Sequence, residues 1–252
     1  MADSNANVRL SQVQTLWTVV CKAHGDGSAN TVRIAQEQLL ERYGKVVYRY
    51  LVGALRDSEA ADEVSQEFAL RFVRGDLKRV DPGRGRFRDY LKGVLLHLIG
   101  DHYRRRKRAL RSVSLEHDPP AAQEEVVFAD REFLEGWRGE LLNRAWKALA
   151  EHEEKTGQPF HSVLRLRAEK ADLRSTALAV ELSAKLNRPL TSDGVRQTLH
   201  RAREKFAEIL LGEVAQTLVS PTLADLEQEL IDVELHQYCA PALDKLRDSA
   251  TS

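Results

Sequence analysis

Asp62-Glu63-Val64-Ser65-Gln66-Glu67-Phe68-Ala69-Leu70-Arg71-Phe72 is the stretch on which the fold turns. Val64, Phe68 and Phe72 recur at i, i+4 and i+8, the spacing of one buried helix face. Asp62, Glu63, Gln66 and Glu67, at i, i+1, i+4 and i+5, share a polar face. Asp57 or Ser58 stands where a helix cap belongs. Such a helix needs neighbours with matching stripes, and the flanking sequence supplies them. Upstream, Leu39, Leu40, Tyr43, Val47, Tyr50, Leu51 and Leu55 predict a long helix over about 30–55, weakened locally by Gly44 and Gly53. Downstream, Phe87, Leu91, Val94, Leu95 and Leu98 mark one face of a helix over about 87–108. Three helices burying these stripes make one domain, placed at 31–111.

The charge along this domain is not even. From 71 to 111 the bases are Arg71, Arg74, Lys78, Arg79, Arg84, Arg86, Arg88, Lys92, the run Arg104-Arg105-Arg106-Lys107-Arg108, and Arg111. Only Asp76, Asp81, Asp89 and Asp101 oppose them. The whole chain has formal net charge +0, so this basicity is placed rather than general. A basic stripe is the electrostatic footprint of a nucleic-acid surface. The turn over 75–86 adds glycines for tight geometry. Lys78, Arg79, Arg84, Arg86 and Arg88 can line a groove for a single strand. The plainer reading is a long solvated turn.

The rest of the chain is also helical in pattern. Ala, Leu, Glu, Arg and Lys dominate and strand-like alternation is hard to find, so the fold class is all-α. Residues 1–30 read as an N-terminal extension holding a short helix with Val13, Leu16, Trp17 and Val20. Residues 112–140, with Pro119-Pro120, read as a linker. A second domain is placed at 141–211 and an acidic tail at 212–252. In the second domain Leu178, Leu182 and Leu186 form one stripe. Val195, Leu199, Ala202, Phe206 and Ile209 form the next. A break at 187–190 between them gives a helix-turn-helix, with Thr191 or Ser192 as the cap of its second helix. Asp193, Arg196, Gln197, His200 and Arg201 then face outward. Arg and Gln are side chains that bind guanine and adenine edges bidentately. The alternative is a plain helical hairpin with a charged outer face.

Several classes are disfavoured. Cys21 and Cys239 lie near opposite ends, which is neither a metal motif nor a disulfide framework. No apolar run reaches the roughly 20 residues of a membrane span, and residues 1–7 lack a signal-peptide core. A cytoplasmic protein with no membrane partner is therefore expected. There is no phosphate-cradling glycine loop with its lysine, and no persuasive nucleophile, so no enzyme and no cofactor are expected. His97, Asp101 and His102, at i, i+4 and i+5, remain a candidate metal cluster for a helical nucleic-acid enzyme. The surrounding positive charge opposes a cation there.

Four motifs carry a family resemblance. Asp62-Glu63-Val64-Ser65-Gln66-Glu67 is similar to the acidic helix with which sigma factors of bacterial RNA polymerase grip the polymerase clamp. Asp81-Pro82-Gly83-Arg84-Gly85-Arg86-Phe87-Arg88-Asp89-Tyr90-Leu91 resembles the turn and helix start of the same region of these factors. Asp101-His102-Tyr103-Arg104-Arg105-Arg106 resembles its helix end. Val195-Arg196-Gln197-Thr198-Leu199-His200-Arg201-Ala202-Arg203 resembles the family's fourth region. The chain departs from the pattern at Phe68, which follows Gln66 by two residues rather than three, and at His97, where many members have Asn. The segment over 166–186 is long, and the Trp17 helix and acidic tail are additions.

The resemblance is to the extracytoplasmic-function type of the sigma-70 family. It implies that Asp62, Glu63, Gln66 and Glu67 bind core polymerase. Lys78, Arg79, Arg84, Arg86, Arg88, Lys92, His97, Asp101, Arg104 and Arg105 would meet the −10 element. Ser192, Asp193, Arg196, Gln197, His200 and Arg201 would meet the −35 element. Promoter DNA and core polymerase are the implied partners, with an anti-sigma factor or a regulatory kinase as a further candidate. The competing reading is a helix-turn-helix regulator that never touches polymerase.

Overall fold

The computed structural model describes residues 29–76, 86–111, 123–219 and 221–251. These residues form nine helices and, among the described residues, no strand. The Trp17 helix and Cys21 lie outside them. The chain divides into two compact units. Of the described residues, those up to 140 together with 216–221 form the first unit. Those over 141–215 and from 222 onward form the second.

The first unit is built on α1, Ala29–Leu55. Leu39, Tyr43, Val46, Val47, Tyr50 and Leu51 are buried along one side, as the spacing predicts. Arg56 takes a left-handed turn at φ 50°, and Asp57 then starts α2, Ser58–Arg74. The Asp57 carboxylate accepts from the amides of Glu59 (3.0 Å) and Ala60 (3.3 Å), a cap worth about 1 kcal/mol. Val64, Phe68 and Phe72 face inward. Gly75 closes the helix at φ 74°, where a side chain would be strained. Helix α3, Phe87–Arg111, buries Phe87, Leu91, Leu95, Leu98 and Ile99. Its first amide, on Phe87, donates to the carbonyl of Thr217 at 3.1 Å, so Thr217 satisfies the start of this helix.

Helix α4, Gln123–Thr156, begins within the stretch read as a linker at 112–140. Its first half belongs to the first unit because it carries two aromatic anchors. Trp137 stacks on Tyr43 (4.9 Å between ring centroids), and Phe133 meets Tyr50 edge-on at 5.3 Å. A stretch with Phe133 and Trp137 four apart cannot stay solvated when a neighbouring helix offers Tyr43 and Tyr50 at matching positions. Burial, with the Asp130 carboxylate nearby, pushes the Tyr50 phenol up to about 12.

In the second unit, α5 (Phe160–Glu169), α6 (Ser175–Leu186) and the first half of α7 (Ser192–Ala215) share a core of Val163, Leu166, Leu178, Leu182, Val195 and Leu199. Trp146 of α4 packs on Phe206 of α7 at 4.8 Å. The tail joins this unit as two helices, α8 (Leu223–Asp232) and α9 (His236–Thr251). Leu226, Leu230, Val233, Leu235 and Cys239 are fully buried there, with Leu210 and Val214 of α7 equally buried. The apolar side chains of the tail therefore pack as a stripe within this unit. The stripe is broken at Glu234, left-handed at φ 58°, where the Leu235 amide returns to the Leu230 carbonyl. Ile231 points outward, half exposed.

Candidate functional site

The polar side of α2 is two surfaces, not one. Each residue turns about 100° around the helix, so Asp62 and Gln66 face solvent while Glu63 and Glu67 lean toward α3. Asp62 accepts a hydrogen bond from Tyr48 of α1, and its charge raises the Tyr48 phenol. Glu67 accepts from Nε of Arg71 at 2.7 Å. Arg105 of α3 lies 3.6 Å from Glu63 and 3.7 Å from Glu67. Leu70 and Val73 continue the outward side of α2 as exposed apolar residues.

On α3 the side chains fall into three groups. Phe87, Leu91, Leu95 and Leu98 are core. Arg88, expected in an open groove, is buried beside Asp89 at 3.7 Å and belongs with the core-facing side. His102 is also buried, with Nδ1 3.6 Å from Glu63. The outward face carries Gly93, Leu96, His97, Tyr103 and Arg104, near the run of bases. Arg86 is half-buried at the helix start. Lys92 pairs with Asp130 of α4 at 2.7 Å. Lys78, Arg79 and Arg84 lie outside the described residues.

Asp101 is the junction of the site. It accepts from Arg104 at 2.6 Å and from Arg71 at 3.1 Å, with His97 at 3.8 Å. The hydrogen bond from Arg104, with that from Arg71, holds its carboxyl below the usual range, and the hydrogen bonds of Arg71 to Glu67 and Asp101 raise Arg71. This geometry corrects the metal cluster. Asp101 is taken by two guanidinium groups, and His102 turns to Glu63 instead of joining His97. Among the described residues no group of three or more ligating side chains is placed to hold a metal. A shallow cleft of about 420 Å³ opens beside Asp57, Glu63, His102 and Arg105.

In the second unit a short turn over 187–191 joins α6 to α7. Asn187 ends α6 in the left-handed region at φ 49°. Ser183 donates to the Ala179 carbonyl and accepts from the Leu190 amide at 2.9 Å, tightening the turn. Thr191 caps α7, its hydroxyl accepting from the Gly194 amide at 3.1 Å. Asp193, Arg196, Gln197, His200 and Arg201 are all exposed, and Ser192 is half-buried. Arg196 bonds Asp193 within the helix, and His200 lies 3.7 Å from Glu204.

Two functional features escape sequence reasoning. Leu96 and Tyr103 are exposed at 43% and 41%, enough to offer apolar and aromatic surface next to Arg104. Their signal was available, since both fall off the Phe87–Leu91–Leu95–Leu98 stripe. The bridge through Arg71 had no signal, because it depends on where α3 crosses α2.

Residues 39–109 match the family model of sigma-70 region 2. No curated protein and no solved structure matches the chain. The matched segment lies within the first unit, running from Leu39 in α1 through Ala109 in α3. It does not extend to the second unit. Among the described residues no helix is long and apolar enough to cross a membrane.

Proposed function

We propose that this chain is a sigma factor of the extracytoplasmic-function type, working in the cytoplasm. It binds the clamp of core RNA polymerase with Asp62, Glu63, Gln66 and Glu67. The loop before α3 and the outward face of α3 melt and read the −10 element. The first turns of α7 read the −35 element. An anti-sigma factor or regulatory kinase would then control the free protein.

The observation that carries this reading is the coincidence of the region 2 match with the surface of α3. An exposed aromatic ring, Tyr103, stands beside Arg104 and a run of bases. An unstacked base needs an aromatic platform, and its backbone needs cations alongside. The α2 carboxylates complement a basic partner, which sets on-rate and partner choice. Core polymerase programmed with this protein should initiate from a common promoter sequence in run-off transcription on a genomic library. If the protein neither binds core enzyme nor changes its initiation sites, while still binding duplex DNA specifically, it is an ordinary helix-turn-helix regulator.

A further inference from the structure

The two surfaces of the first unit are wired together by charge. Glu67 holds Arg71, Arg71 reaches Asp101 at 3.1 Å, and Asp101 holds Arg104. Beside this chain Arg105 spans Glu63 and Glu67. The contacts differ in kind. Those of Arg71 with Glu67 and of Arg104 with Asp101, at 2.7 and 2.6 Å, are charge-assisted hydrogen bonds. Those of Arg105, at 3.6 and 3.7 Å on a side chain 43% exposed, are loose ion pairs that solvent and other cations can replace. The cleft beside Glu63 and Arg105 leaves room for an incoming basic side chain.

We propose that Glu63 and Glu67 exchange partners. In the free protein they hold Arg105. A basic polymerase helix that takes these carboxylates releases Arg105 to a DNA phosphate. Arg71 is a positioning residue that keeps Asp101 and Arg104 in place throughout. This rests on the polymerase-docking reading above, and it makes docking and DNA affinity one coupled event, with a coupling free energy that is reciprocal.

The test uses the full chain and a short fluorescent single-stranded oligonucleotide. Glu63→Gln with Glu67→Gln should tighten binding at low salt by about three- to fivefold, the scale of a weak exposed ion pair. The salt slope should steepen by about 0.7, one phosphate contact on a single strand. In an Arg105→Ala background the gain should vanish. Glu41→Gln with Glu154→Gln removes the same charge from exposed carboxylates outside these contacts and should leave binding unchanged. A gain of equal size in that control, or one that survives Arg105→Ala, overturns the exchange. A second measurement avoids altering the acids. Arg105→Ala alone should barely change binding by free protein, yet weaken promoter binding by the polymerase complex about three- to fivefold. Equal losses in both states also overturn it. Core-enzyme competition by the Gln pair separates the two ideas. Undiminished competition sinks the docking face, whereas weakened competition without an oligonucleotide gain sinks only the exchange.

Discussion

The charged faces of the two units are constructed in opposite ways. On α2 and α3 the carboxylates and guanidinium groups reach across from one helix to the other, through Arg71 and Arg105. On the outer face of α7, Arg196 pairs with Asp193 and His200 with Glu204, all within one helix. Only further along does Lys245 of α9 reach Glu204, at 2.7 Å. A face whose charges pair within its own helix is presented whether or not a partner is bound. A face whose charges are shared between helices is presented fully only when something displaces one of them. The cores differ as well. The first unit rests on an aromatic cluster, and the second on mainly aliphatic layers closed by the tail, with the Trp146–Phe206 pair beside them.

The largest effect should come from removing that closure. Truncation after Gly212 deletes α8 and α9, together with residues 213–221 and so the Thr217 partner of Phe87, and exposes Leu210 and Leu211. Leu226, Leu230, Val233, Leu235 and Leu243 are each no more than 1% exposed. At about 1.5–3 kcal/mol for each such side chain, the loss is on the order of 10 kcal/mol. That is comparable to the whole stability of a domain, about 5–15 kcal/mol. Circular dichroism should therefore lose more helix than the deleted residues account for. If the truncated protein stays folded and binds DNA more tightly at low salt, the tail is a mask and the contrast between the units fails at its base.

The aromatic core gives the next effect. Trp137→Ala should cost about 3–5 kcal/mol in denaturant unfolding, since the ring is 1% exposed and contacts Tyr43, Phe87 and Phe133. Trp137→Phe sharpens the point. The indole Nε1 is buried without a hydrogen-bond partner, so the smaller ring removes that liability and should cost under about 1.5 kcal/mol. Equal losses for Ala and Phe would mean that the full indole volume, rather than aromatic stacking as such, anchors α4.

Much of this was legible in the sequence because helical periodicity reports burial directly. The stripes of α1, α2, α3 and α7 appear where their spacing put them, and so does the Asp57 cap. What escaped depends on tertiary neighbours. Pro119-Pro120 signals a break, but nothing local says that helix resumes by Gln123, because the aromatic docking of Phe133 and Trp137 decides it. Glu63 and Asp62 are adjacent acids in sequence, yet one meets Arg105 and the other Tyr48. Arg88 and His102 are polar residues that local pattern assigns to the surface. Their burial follows from how α3 sits on its neighbours. The turn at Glu234 lacks the glycine that usually announces a left-handed residue.

A smaller effect tests the presented face of α7. Arg196→Ala should relax preference at one upstream base pair by about 1–3 kcal/mol if its contact is bidentate. Lys92→Ala should weaken all sequences alike, as a phosphate contact does. Binding measured across a panel of single-base variants separates these outcomes. A uniform loss for Arg196→Ala would show that the α7 face positions the protein without reading bases.

The smallest effect concerns Asp101, where the shared charges of the first unit converge. Its carboxyl is held below the ordinary carboxylate range, chiefly by the hydrogen bond from Arg104 and then by that from Arg71. The unfolded chain therefore takes up this proton at a higher pH than the folded one does. The contribution to stability is complete above the unfolded value and is lost as pH falls through the folded one. Because Asp101 is partly exposed, that contribution should be only about 0.5 kcal/mol. Urea unfolding of wild type and Asp101→Asn should differ by about that amount near neutral pH, and the difference should close only as pH falls below the ordinary carboxylate range. Glu204 is lowered in the same direction, chiefly by Lys245, so its window lies at similarly acid pH. The two sites separate by what else changes. Asp101→Asn also loosens Arg71 and Arg104, so it should alter the salt dependence of oligonucleotide binding, whereas Glu204→Gln should leave it as it is. If Asp101→Asn shifts acid stability but leaves that salt dependence untouched, the cross-helix network holds the fold and does not tune the DNA surface.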